Sequence, residues 1–173
     1  MTPEGWKGIL DQGEEIIWQG RPDGKIVFRI GNIATFIFGL FFAGFALVWM
    51  ILASTAGGFF WMFGLLHFSV GIGISSGALF WNAYKRRHSW YTLTNKRAFI
   101  ASDIPLKGRK LKSYPIRPDT MLEIDNSQPA TIHFANEVQR GNNGTRMARI
   151  GFERIADGRE VYAKIRDIQR ATP

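Results

Sequence analysis

Lys107, Arg109, Lys110, Lys112 and Arg117 place five cations within eleven residues, the densest cluster of chemically useful side chains in the sequence. Guanidinium and ammonium groups on one strand and its flanking turns can hold anions by charge-assisted hydrogen bonds. Beside an anionic leaflet each is worth about 1 kcal/mol. Lys85, Arg86 and Arg87 form a second basic run that would add to the same surface. Acid–base and metal chemistry have a poorer footing. His88 and His133 lack ligand-spaced partners, and Asp103, Asp119 and Asp125 fit turns at least as well as catalytic loops. His67 differs, because it is the one titratable group inside a long uncharged stretch, which makes it a weak candidate cofactor ligand or an interhelical hydrogen bonder. Gly71-Ile72-Gly73-Ile74-Ser75-Ser76-Gly77 looks superficially like a dinucleotide loop but lacks the third-glycine spacing. No P-loop, zinc helix or nucleophile elbow is present, and the absence of cysteine excludes disulfides, thiol nucleophiles and Cys-based metal sites. The expectation is a protein without catalysis, cofactor, metal or small-molecule substrate. Nothing supplies a recognition helix or stacking platform for nucleic acid.

The element that must position these groups is Ile30 to Tyr84, fifty-five residues without a Lys, Arg, Asp or Glu. A bilayer's hydrocarbon core is about 30 Å thick and takes roughly 20 apolar residues per helical crossing. The run therefore predicts a two-helix transmembrane hairpin, with spans at about 30–53 and 59–84, turning at Ser54-Thr55-Ala56-Gly57-Gly58. Arg21, Lys25 and Arg29 precede the first span, none of the turn residues is charged, and Lys85 to Arg87 follow the second, which places both ends in the cytoplasm. Gly39 and Ala43 in the first span, with Gly73 and Gly77 in the second, have the small-residue spacing that lets helices approach, within the hairpin or against another membrane protein. The chain's net charge is +8 and its positive surplus lies after the hairpin, where eighteen Lys and Arg face nine Asp and Glu and anionic lipid is the natural partner.

Three domains follow: a lead-in over 1–29, the hairpin over 30–84 and a soluble domain over 85–173. Ile16-Ile17-Trp18 reads as a short strand, as do Trp90 to Thr94, Ala98 to Ala101, Arg109 to Ile116, Met121 to Ile124, Thr131 to Phe134 and Arg146 to Phe152. Asn95-Lys96-Arg97, Asp125 to Pro129 and Asn142-Asn143-Gly144 read as turns. Ile155, Val161, Tyr162, Ile165 and Ile168 form the apolar stripe of a closing helix. The expected class is a membrane α-hairpin joined to a mainly β, α+β domain.

The lead-in Gly13-Glu14-Glu15-Ile16-Ile17-Trp18-Gln19-Gly20-Arg21-Pro22, the hairpin, the stretch Tyr91-Thr92-Leu93-Thr94-Asn95-Lys96-Arg97-Ala98-Phe99-Ile100 and the closing helix near Val161-Tyr162 resemble the bacterial pleckstrin-homology-like membrane proteins. The resemblance implies a bent, seven-stranded antiparallel barrel capped by a C-terminal α-helix, in the cytoplasm beneath a bacterial inner membrane. The lead-in would contribute a strand. It brings no catalytic residues. The function expected is presentation of a binding module to anionic lipid or a protein partner, through Lys85, Arg86, Arg87, Lys107, Arg109, Lys110 and Lys112. The alternative is an accessory subunit of a larger respiratory or photosynthetic membrane complex, docked through the hairpin.

Overall fold

The structure is a computed structural model that describes residues 4–28, 30–105, 108–141 and 144–171. Two compact units result: Gly24–Tyr84, and a second built from Met1–Asp23 together with Lys85–Pro173. Of the lead-in over 1–29, Met1–Asp23 groups with Lys85–Pro173 and the chain from Gly24 groups with the helices. Arg29, counted above among the flanking cations, lies outside the described residues.

The first unit holds helix α1 (Ile30–Thr55), a short 3-10 turn (Phe60–Met62) and most of helix α2 (Phe63–Arg87). The stretches Ile30–Thr55 and Phe60–Arg87 are each long and apolar enough to cross a membrane, with mean hydropathy 2.5 and 1.5. At 1.5 Å per residue either exceeds the roughly 30 Å of a hydrocarbon core. The turn between them depends on Gly57 and Gly58, both with φ near +75°, a region costly for residues with a Cβ. Small residues bring the helices together. A Cβ on Gly39 would lie 2.5 Å from the Ser75 hydroxyl, and one on Gly71 would lie 2.6 Å from the Ala43 nitrogen. Ser75 also donates across the pair to the Phe36 carbonyl at 3.0 Å, which satisfies its hydroxyl away from water.

Gly39 and Ala43 therefore lie at the contact between α1 and α2, and Gly73 and Gly77 lie away from it. A Cβ on either would meet nothing within 4 Å. Each lies two residues from Gly71 or Ser75, about 200° around the helix, so those two glycines face away from α1.

The second unit contains two antiparallel sheets. Strands β1 (Ile16–Gly20), β2 (Ser89–Thr94), β3 (Arg97–Ile104) and β4 (Gly108–Pro115) form the first in that order. Strands β5 (Glu123–Ile124), β6 (Ala130–Gly141) and β7 (Gly144–Ile155) form the second. Among the described residues no strand pairing joins the sheets, so no closed barrel is present. Helix α3 (Gly158–Ala171) follows. Tyr91 and Leu93 of β2, Ala98 of β3, Ile132 and Phe134 of β6, Phe152 of β7 and Val161, Ile165 and Ile168 of α3 fill one core. The 3.6-residue spacing of the α3 residues turns all three to that side. β6 and β7 run beyond the core, which is why they are longer than the apolar segments alone predict. The expected turn residues Asn142 and Asn143 lie outside the described residues.

Candidate functional site

Among the charged groups of the second unit are a buried set that joins chain segments and an exposed set on β4. The buried set begins at Glu14, whose side chain is 0% exposed. Its carboxylate accepts from Arg97 Nη2 at 2.6 Å, from the Thr94 hydroxyl at 2.6 Å and from the Asp11 amide at 2.8 Å. Burial alone would raise this carboxyl; the hydrogen bonds from Arg97, Thr94 and Asp11 outweigh it and hold the group at about 2. Around this pair Asn95 donates to the Gly13 carbonyl and Lys96 to the Gln12 carbonyl, each at 3.0 Å.

Trp18 completes the junction. Its indole donates to Asp157 at 2.5 Å, beside the start of α3, and its ring lies where a Cβ on Gly20 would be, 2.2 Å from Trp18. Pro22 is buried. Gly13, Glu14, Trp18, Gly20 and Pro22 of the lead-in motif, with Thr94, Asn95, Lys96 and Arg97 of the second motif, thus act in assembly.

A second buried group sits where this unit's two chain segments run into the helix pair. Arg86 is only 6% exposed, and its Nε donates to the Asp23 carbonyl at 2.9 Å. The Asp23 carboxylate accepts from Arg154 at 3.0 Å, and the Asp23 amide donates to the Arg154 carbonyl at 2.8 Å. Arg154 has φ of 50°, a strained conformation for a residue with a side chain, costing on the order of 1–3 kcal/mol. Asp23 grips it at both ends.

The exposed set follows the alternation of β4. Arg109 stands opposite Asp103 on β3 and pairs with it at 3.1 Å, with the arginine side chain 89% exposed. Lys110 is exposed with no ion pair among the described residues. Lys112, which by strand alternation shares the face of Lys110 and not that of Arg109, pairs with Glu137 on β6 at 2.5 Å, while the Tyr114 hydroxyl donates to the same carboxylate at 2.7 Å. That contact bridges the two sheets. It keeps Glu137 below its ordinary range through the hydrogen bonds from Lys112 and Tyr114, and burial together with Glu137 pushes the Tyr114 phenol up. Arg87 and Arg117 are exposed and Lys85 is half-buried. Lys107 lies outside the described residues. The structure therefore does not gather the expected cations on one face: Arg86 is enclosed and Lys112 is committed to Glu137.

His67 lies between the Phe42 and Phe63 rings, 6.1 and 5.1 Å away, with Nδ1 3.3 Å from the Phe63 carbonyl one turn back. A largely apolar cavity of about 240 Å³ opens beside it, against Trp49 and Phe45. Among the described residues no three His, Asp or Glu side chains gather as a metal site. Asp103 is paired with Arg109, and Asp125 accepts from Ser127 and from the Thr131 amide within its turn.

Sequence reading missed Gly71 and Ser75 as packing residues, and Arg21, Trp90 and Leu111 as a group. The Arg21 guanidinium lies 4.8 Å over the Trp90 ring, and Trp90 and Leu111 both pair with Ala101 across the sheet. Strand alternation from the Tyr91 and Leu93 core positions was the available signal, since it puts Trp90 on the opposite, outer face.

No family model, no curated protein and no solved structure matches this chain.

Proposed function

We propose that this chain is a non-catalytic integral membrane protein whose second unit is a PH-like binding module working at an anionic leaflet. α1 and α2 would span a bacterial inner membrane as a hairpin, with both ends in the cytoplasm. The observation that carries the reading is the edge strand β4, exposed along most of its length, with Arg109 and Lys110 exposed in a sheet whose strand β2 begins two residues after the second of two apolar helices. A tethered module needs only weak contacts, because tethering raises its effective concentration at the surface. Support also comes from the contrast with the enclosed cations: Arg97 and Arg86 are held inside the fold by Glu14 and the Asp23 carbonyl, whereas Arg109 and Lys110 on β4 are exposed. Amide hydrogen exchange of the full-length protein in nanodiscs tests this. Exchange across β4 should slow when phosphatidylglycerol replaces part of the phosphatidylcholine, and Arg109→Glu with Lys110→Glu should remove the difference. Equal exchange in both lipids would sink the reading.

One observation favours a second reading. Gly73 and Gly77 leave a small-residue face of α2 turned away from α1, the kind of surface that lets a foreign helix approach closely. On that reading the chain is an accessory subunit of a larger membrane complex, and Gly73→Leu with Gly77→Leu releases it. Migration as a free monomer or homo-oligomer on native gels counts against it.

A further inference from the structure

We infer that the outer face of the four-stranded sheet, centred on Trp90, is the surface that enters the headgroup layer, with anionic phospholipid as its ligand. This inference rests on the lipid reading above and adds the face and its anchor. The inner face of the sheet is committed to the core through Tyr91, Leu93 and Ala98. Part of the outer face is covered by the lead-in, where Trp6 packs edge-on against Phe99 at 5.2 Å and Glu14 engages Thr94 and Arg97. Beyond that cover, Trp90, Ala101 and Leu111 stand side by side in register on β2, β3 and β4. Ala101 is too short to fill the space between its neighbours, and a groove of about 350 Å³ lies there, rimmed by Asp103, Arg109 and Lys110. Leu111 is 44% exposed.

Three features of this groove match a headgroup layer. An indole beside a leucine offers the amphipathic surface that settles at a membrane interface. Arg21 over Trp90 and Arg109 on the same face, with Lys110 at the groove's edge one position along β4, set positive charge against the single carboxylate of Asp103, so an anionic surface is attracted and a zwitterionic one is not. Finally, Trp90 follows the last residue of α2, Arg87, by three positions. At no more than about 3.6 Å per residue its backbone stays within roughly 11 Å of that helix end. Headgroup layers are about 5–8 Å thick on each side of the hydrocarbon, so the tether holds Trp90 within reach of one. Lys112 has no part in this surface, being turned to Glu137.

The chain has no cysteine, so Leu111→Cys gives a single nitroxide site at an exposed position without disturbing the core. The full-length labelled protein is placed in phosphatidylcholine vesicles with and without about one-third phosphatidylglycerol, beside a Val138→Cys reference on the β6–β7 hairpin, where Val138 is 61% exposed. Collision with oxygen and with an aqueous nickel chelate reads depth. The inference expects the label at 111 to shift from nickel-accessible to oxygen-accessible when phosphatidylglycerol is added, and to shift back in Arg109→Glu/Lys110→Glu, while 138 stays aqueous. A lipid-dependent shift at 138 and none at 111 overturns this face and leaves the lipid reading standing. No shift at either site, with unchanged hydrogen exchange across β4, overturns both. A shift at 111 that is equal in neutral vesicles, or survives charge reversal, refutes the anionic ligand.

Discussion

Arg97 and Arg109 lie on the same sheet and each pairs with carboxylate, Arg97 with Glu14 and, at 3.4 Å, Asp11, Arg109 with Asp103, and the two arginines do opposite things. Arg97 meets Glu14 at 2.6 Å with side chains 23% and 0% exposed, whereas Arg109 meets Asp103 at 3.1 Å with side chains 89% and 45% exposed. Breaking a buried pair strands a charge away from water and costs several kcal/mol. An exposed pair contributes between nothing and about 1 kcal/mol, so Arg109 can exchange its partner for a phosphate at little cost. Residue type is the same in both places. Burial decides whether the cation belongs to the fold or to a partner.

The comparison is most severely tested by Arg97→Met, which leaves the Glu14 carboxylate buried and unpaired. It should destabilise the second unit by roughly 3–5 kcal/mol, measured as the denaturant midpoint of full-length protein in nanodiscs. A loss under about 1 kcal/mol would mean that the pair is no different from a surface one.

Acid should act through the same carboxylate. Glu14 sits at about 2 in the fold against an ordinary 4.5, so its contribution is fully present above pH 4.5 and is lost as pH falls from there towards 2. That difference corresponds to roughly 3 kcal/mol. Unfolding followed between pH 5 and 2 should show the loss, and Glu14→Gln should flatten that part of the curve.

The helix pair offers the same contrast between one residue type in two settings. Gly71→Leu forces a side chain into the Ala43 backbone and should cost on the order of 1–3 kcal/mol, whereas Gly73→Leu, in open space, should leave the thermal stability of the isolated protein unchanged. Equal effects would contradict the packing described. The smallest expected change in stability is for Arg109→Ala, below about 1 kcal/mol, accompanied by loss of the lipid-dependent exchange difference across β4.

Much of this fold is legible because its elements follow local patterns. Alternation marks β2, β3 and β4, the uncharged run marks α1 and α2, and the stripe through Val161, Ile165 and Ile168 marks α3. What is not legible depends on phase or on distant partners. Gly71, Gly73, Ser75 and Gly77 all satisfy a small-residue spacing, and only the rotation of α2 against α1 selects Gly71 and Ser75. Lys85, Arg86 and Arg87 point in three directions at about 100° per residue, and nothing local says that Arg86 is the one enclosed. Glu14 and Arg97 are eighty-three positions apart, so two separate motifs gave no sign of forming one junction. The β4 cations were found as a run, but strand alternation divides them, sending Lys112 to Glu137 and leaving Arg109 on the outer face beside Trp90.

The central claim is that function lies with the exposed cations of the second unit rather than with the helix pair. Affinity purification of the tagged full-length protein from its native membrane in mild detergent, with mass spectrometry of retained proteins and lipids, tests it most directly. The account predicts recovery without a stoichiometric partner, with anionic lipid retained by the intact protein and reduced in Arg109→Glu/Lys110→Glu. Recovery within a stoichiometric membrane complex that Gly73→Leu and Gly77→Leu dissolve, with lipid retention indifferent to charge reversal, would contradict it and move the function to the outer face of α2.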